Sequence, residues 1–213
     1  MRIKTDTERE YPEITENEPK FDLLLCGFNT KKRIRYGKEL SGETNVLKDI
    51  AALSERKNLT IVAAFDTDNY GIIKHSACVF DRGKLLGISD MSVSLGDSPY
   101  MPGGSAKIFD TSAGKIGVAV GDDLYSYDLM RAFALCGAEA VIAVGRRQKR
   151  EPDGIITRAY AYLTGLPIIA LFGKCAVSVN VKGEISPADE YGVYEVEPLT
   201  EYALKTTRVK FYV

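Results

Sequence analysis

"GKIGVAVGDDLYSYDLMRAFALCGAEAVIAV", residues 114–144, reads as strand, sharp turn, amphipathic helix and strand. Ile116–Val120 and Ala140–Val144 are short, nearly continuous apolar runs, the pattern of strands covered on both faces. Between them Leu124, Leu129, Ala132, Phe133 and Leu135 supply the apolar positions of a helix over 124–136. A strand that ends in a turn feeding a helix is where α/β enzymes place a nucleophile on strained backbone. Here the turn is Gly121-Asp122-Asp123, and it contains no Ser, Cys or Thr.

Working outward, "DLLLC" (22–26) and "LTIVAAF" (59–65) are further buried strands, separated by a helical pattern in which Val46, Leu47, Ile50, Ala51 and Leu53 share one side. Two hairpins follow, "HSACVFDRGKLLGIS" (75–89), turning through 81–84, and "AKIFDTSAGKIGVAV" (106–120), turning through 112–115. Beyond residue 144 the pattern predicts a helix over 155–164, a strand over 167–172 and a hairpin turning at Lys182-Gly183. Alternating strands and helices mixed with hairpins imply mixed sheets with outer helices, in two or more layers. Residues 1–20 lack apolar periodicity and read as an extended arm ahead of a single domain over 21–213.

The 213-residue chain can bury a sizeable core, and its 45% hydrophobic and 27% charged residues are ordinary for a globular protein. It contains no apolar run near the ~20 residues of a membrane span, and its polar beginning is unlike a signal peptide, so a cytoplasmic protein is expected. Cys26, Cys78, Cys136 and Cys175 form no C-x-x-C pair and each lies in or beside an apolar run, which reads as reduced, buried thiols. With His75 the single histidine, no zinc site and no cofactor are expected. Charge is segregated: 31–38 ("KKRIRYGK") and 146–150 ("RRQKR") are basic, whereas 183–201 carries only acidic charges.

In this order the elements resemble the nitrilase, or carbon–nitrogen hydrolase, superfamily. The opening stretch is similar to that family's nucleophile segment, with Asp123, Asp128, Arg131, Gly137, Ala138 and Glu139 at matching positions. "KHSACVFDRGKLLG", "PGGSAKIFDTSAGKIGV" and "RAYAYLTGLPIIALFG" resemble further family segments, so that the likeness runs from about residue 20 to 187. It implies an α-β-β-α sandwich that dimerises through its helices. It also implies where a catalytic set would stand. Phe28 occupies the position of the family's glutamate base, Met91 that of its lysine and Gly121 that of its cysteine. A thiolate attack needs a nucleophile, a base within reach and a cation where the oxyanion develops, and none of the three replacements can serve.

Other chemistry is open to the chain. Asp122 could serve as a carboxylate nucleophile with Asp90 or Asp97 as acid partner, and Cys26, before Gly27 at a strand end, could be a displaced thiol. Asp123 reads as a cap for free N–H groups at the helix start, and His75 as a structural hydrogen-bonder. The two basic segments follow strands whose loops surround the active-site mouth in the family. Arg33, Arg35, Arg146, Arg147 and Arg150, with Lys31, Lys32 and Lys149, could therefore converge to hold a small anion; equally, they could be solvated loops or meet the acidic segment of a second subunit. The expectation is a pseudoenzyme working in binding or assembly, as a homodimer or with a protein partner, and carrying an anionic ligand at the vestigial pocket. The alternative is a divergent amide-type hydrolase. The near-neutral chain contains no recognised nucleic-acid motif, which disfavours DNA or RNA as a partner.

Overall fold

The computed structural model describes residues 1–6, 20–28, 33–96, 98–104, 107–148 and 150–197. In chain order these form β1 (Arg2–Asp6), β2 (Leu23–Cys26), β3 (Arg33–Arg35), α1 (Tyr36–Ser41), α2 (Val46–Lys57), β4 (Thr60–Asn69), β5 (Ile72–Asp81) and β6 (Lys84–Asp90). There follow β7 (Lys107–Thr111), β8 (Gly114–Val120), a 3₁₀ turn (Gly121–Tyr125), α3 (Tyr127–Leu135), β9 (Ala140–Gly145), α4 (Glu151–Thr164), β10 (Ile168–Phe172), β11 (Cys175–Val179), β12 (Ile185–Ser186) and β13 (Val193–Glu195).

Two mixed sheets result. One runs β13-β1-β2-β4-β5-β6, with β3 also on β4; the other runs β12-β11-β10-β9-β8-β7. The parallel neighbours are β1, β2 and β4 in the first sheet and β8, β9 and β10 in the second. The sheets face one another across a core of Leu23, Leu25, Val62 and Val79 from the first and Ile116, Val118, Ile142 and Leu171 from the second. Alternate residues point outward, where Leu24, Ile61 and Phe80 pack under α2 residues Ile50 and Leu53. On the far side Ala119, Val141, Ala143 and Ile168 pack under Met130 and Phe133 of α3 and Ala161 of α4. The chain is thus a single α-β-β-α sandwich, the fold class expected from sequence. Coverage on both faces explains why the strands read as unbroken apolar runs, and each fully buried Leu, Ile or Phe contributes roughly 1.5–3 kcal/mol.

Local chemistry sets the helix limits. Ser126 caps α3, its hydroxyl accepting from the Leu129 N–H at 3.3 Å. α4 carries Pro152 in its first turn and ends at Gly165 with φ 68°. Asp153, Thr157, Ala161 and Thr164 form its buried stripe. The expected helix over 124–136 is therefore a 3₁₀ turn followed by α3, and the one expected from 155 begins at Glu151 because Pro152 suits a first turn rather than a loop.

Two expectations about organisation change. Residues 1–20 are not an arm throughout: Arg2–Asp6 is an internal strand between β13 and β2, so the sheet begins at the chain's first residues. Only Ile3 of that strand is fully buried, too weak a pattern to read. The part of the arm over 7–19 lies outside the described residues. The basic segment 31–38 is not simply a loop, since Arg33–Arg35 pairs with β4 and Tyr36 opens α1.

Candidate functional site

Loops from both sheets meet at one end of the sandwich: Phe28 after β2, Met91 after β6, Gly121 and Asp122 after β8, and Arg146 and Arg147 after β9. Ends of parallel strands are where α/β folds place ligands. The positions expected for glutamate, lysine and cysteine are thus brought together around His75, Met91 lying against Gly121 and Phe28 on the His75 ring. Phe28 packs on the inter-sheet core and stacks flat on the His75 ring, centroids 3.7 Å apart and planes 4° from parallel. Met91 is buried, and its Sδ accepts the Asp122 N–H at 3.5 Å. Gly121 keeps a left-handed backbone with φ 59°. A Cβ there would stand 2.6 Å from Met91 Sδ and 3.2 Å from His75 Cδ2. A cysteine at 121 fits only if Met91 moves aside.

The site is not closed, however. A cavity of about 320 Å³ remains, lined chiefly by His75, Met91, Leu95, Tyr100, Asp122 and Arg146. Its polar wall includes His75 and Arg146, and behind them stands Asp66; His75 and Asp66 are both nearly fully buried. Asp66 Oδ1 lies 2.9 Å from His75 Nδ1, and its Oδ2 accepts from Arg146 at 2.7 Å. A carboxylate only accepts, so in the neutral ring Nδ1 bears the proton and Nε2 the lone pair. No described residue hydrogen-bonds Nε2. The Nε2–Cδ2 edge lies opposite Nδ1, and Cδ2 marks it as the edge turned toward Gly121. Phe28 covers one face of the ring, and Tyr100 lies tilted 39° to it at 4.7 Å. Burial pushes the ring's pKa below its ordinary value, against the pull of Asp66.

Asp122 lines the cavity, its carboxylate accepting the Leu95 N–H at 3.2 Å. Its expected acid partners do not join it. Asp90 is tied to Lys74 and Ser76, at 2.7 and 2.8 Å, and Asp97 lies outside the described residues. Asp123 caps the start of the 3₁₀ turn, accepting the Val120 N–H at 3.0 Å, and also accepts the N–H groups of Ser92 and Val93, at 2.7 and 2.8 Å. Burial lifts its carboxyl to about 6 against those three donors.

Cys26 is not a displaced nucleophile. Strand alternation turns Leu23 and Leu25 toward the inter-sheet core and Cys26 to the opposite face, on the cluster beneath α2. Burial, then Asp6, pushes its thiol far above the ordinary range, the reverse of what a thiolate needs. Cys78 is also buried, but Cys136 and Cys175 are exposed, so the expectation of four buried thiols holds for only part of the set.

Nor do the arginines form a free cationic mouth. Arg146 and Arg147 line the cavity, but each is held by a buried carboxylate, Arg146 by Asp66 and Arg147 by Asp153 through contacts of 2.6 and 2.7 Å. Arg150 donates to the Tyr125 hydroxyl at 2.6 Å and lies over that ring. Arg35 sits 3.9 Å from Asp68, and Arg33 is exposed at the edge of β4. Lys31, Lys32 and Lys149 lie outside the described residues. The buried network of Asp66, His75, Tyr100 and Arg146 was missed in the sequence. One signal could have shown its centre, because Asp66 and His75 stand equally far from the 69–72 turn and are direct cross-strand partners.

No protein-family model matches the chain. A probable nitrilase of Schizosaccharomyces pombe is 26% identical over 177 residues, which cover 74% of this chain. The chain spans only 63% of that relative's length. Among solved structures, a carbon–nitrogen hydrolase from Helicobacter pylori G27 superposes with a TM-score of 0.66 at 20% identity, over 83% of this chain and 77% of its own. A variant of the amidase from Nesterenkonia sp. AN1, in complex with butyramide, superposes with a TM-score of 0.65 at 15% identity, over 78% of this chain and 72% of its own.

Proposed function

We propose that the chain, similar to a probable nitrilase and folded like a carbon–nitrogen hydrolase, is a nitrilase-superfamily protein that binds a small, uncharged polar acyl compound at the old active site without using the superfamily's cysteine route. The observation that carries this reading is the Met91 sulfur standing 2.6 Å from where a nucleophile's Cβ would begin, with a cavity of about 320 Å³ left open beside it. An uncharged ligand replaces the anion expected from sequence. The cavity's two guanidiniums are already matched by Asp66 and Asp153, and Asp122 adds a carboxylate to the wall. Among the described lining residues a buried anion would meet no uncommitted cation. A carboxamide, by contrast, offers N–H donors to Asp122 and His75 and a carbonyl to the arginine edges.

Saturation-transfer NMR on the whole protein tests this with butyramide and butyrate. Butyramide binds, with Kd on the order of 1 mM for so few atoms, and butyrate does not. Asp122→Ala weakens the amide about tenfold, the worth of one hydrogen bond. Binding of butyrate in preference to butyramide, or release of ammonia from butyramide at an enzymatic rate, overturns the reading.

The proposal extends to assembly. Leu135 on α3 and Ile155, Tyr162 and Leu163 on α4 are all more than half exposed on the outer helical layer, an apolar surface of the kind that marks association. The protein runs as a dimer in analytical ultracentrifugation, and Leu163→Glu with Ile155→Glu shifts it to monomer. A wild-type monomer at 100 µM ends this part of the reading.

A further inference from the structure

We propose that His75, held by Asp66, is a general base that activates water against a carboxylic ester bound in the cavity. The inference rests on the small-acyl reading above and deepens it. It stands on three structural features. The Asp66–His75 pair is buried and directly bonded, at 2.9 Å, which fixes the tautomer. Phe28 stacks flat on the ring and Tyr100 lies tilted against it, which with the Asp66 bond holds its orientation. Its Nε2 edge has no hydrogen-bond partner among the described residues and borders a cavity with room for a water and a short acyl group. An Asp–His pair whose distal nitrogen faces a cleft is the orienting half of a nucleophile–base–acid set; here water supplies the nucleophile that position 121 lacks.

The step balances without another reactant. Nε2 takes a proton from water as the water oxygen bonds to the ester carbon, and the carbonyl electron pair moves onto its oxygen. The Asp122 N–H, otherwise held only by the weak Met91 sulfur acceptor at 3.5 Å, is the donor beside that oxygen. Collapse breaks the bond to the alkoxide, which recovers the proton from Nε2, and leaves a carboxylic acid and an alcohol. Asp66 and Phe28 are positioning residues in this scheme. An ester suits the site better than an amide, because an alkoxide leaves with help from one imidazolium alone.

The test follows p-nitrophenyl acetate cleavage by the whole protein between pH 5 and 8, read at the isosbestic wavelength. Wild type exceeds buffer, its rate rising with a single deprotonation below pH 6.5 because the ring's pKa is lowered. His75→Gln lowers the rate about 100-fold, the scale of general-base catalysis, and Asp66→Asn displaces the pH profile. Since His75 is the single histidine, diethyl pyrocarbonate abolishes turnover in the folded wild type and hydroxylamine restores it. That arm does not depend on a variant folding. Butyramide inhibits competitively. A rate at the buffer level, or one indifferent to both His75→Gln and diethyl pyrocarbonate, overturns the proposal. If butyramide still binds in that case, the binding reading stands alone; if it does not, both fall.

Discussion

Gly121→Ala destabilises the protein by about 2–3 kcal/mol, and Met91→Ala in the same chain recovers about 1 kcal/mol of coupling. Two costs add at this position. The backbone sits at φ 59°, where any Cβ crowds the following carbonyl for roughly 1–2 kcal/mol. The new methyl also begins 2.6 Å from Met91 Sδ, and such overpacking costs roughly 1–3 kcal/mol. A thioether can swing partly aside, which favours the lower part of that range. Met91→Ala alone leaves a hole in a well-packed place and costs roughly 2–5 kcal/mol, so the cycle, rather than either single change, isolates the contact. Urea midpoints of the four chains measure it. Additive single effects would mean that Met91 does not guard position 121. By the same geometry Gly121→Cys folds less stably, because its Cβ begins 2.6 Å from Met91 Sδ.

That geometry also shows which parts of the site were legible from sequence. The strand–turn–helix–strand of 114–144 was readable because burial on both faces leaves unbroken apolar runs and because the helix carries its apolar side at helical spacing. That positions 28, 91 and 121 carry Phe, Met and Gly is plain in the sequence. That Met91 packs against Gly121 is not, since it depends on which face each loop turns inward. Cys26 failed for a related reason: in "LLLC" every position is apolar, and nothing in the string marks Leu25 as facing one core and Cys26 the other. The arginines misled because charge counting sees the guanidinium and not its partner. Asp66 lies 80 residues from Arg146, and its burial is a property of the folded sheet. Asp153 was closer, only six residues from Arg147, but the expected helix started beyond it and left it in a loop.

Asp153→Asn is the second large effect, costing about 3–5 kcal/mol at pH 7. Asp153 is 1% exposed and accepts four hydrogen bonds, from Arg147 Nη1 at 2.6 Å, Arg147 Nη2 at 2.7 Å, the Tyr125 hydroxyl at 2.6 Å and the Arg150 N–H at 2.6 Å. Burial alone would raise its carboxyl; those donors outweigh it and hold the pKa down to about 2, against an ordinary 3.8. The sign follows directly. A carboxylate stabilised in the fold contributes in full above pH 3.8, and the contribution disappears as pH falls through about 2. The shift corresponds to about 2 kcal/mol. The amide cannot titrate, and it leaves the Arg147 charge without its carboxylate, over the rings of Tyr125 and Phe172. The gap in urea midpoint between wild type and Asp153→Asn should therefore be widest above pH 4 and shrink toward pH 2. A gap below 1 kcal/mol at pH 7, or one that does not change with pH, would show that Arg147 is not anchored by this carboxylate. The consequence reaches the cavity. Arg147 is one of its walls and adjoins Arg146, which holds Asp66 against His75. Loosening the loop after β9 should thus weaken butyramide binding in Asp153→Asn even where the chain remains folded, with Asp122 and His75 untouched.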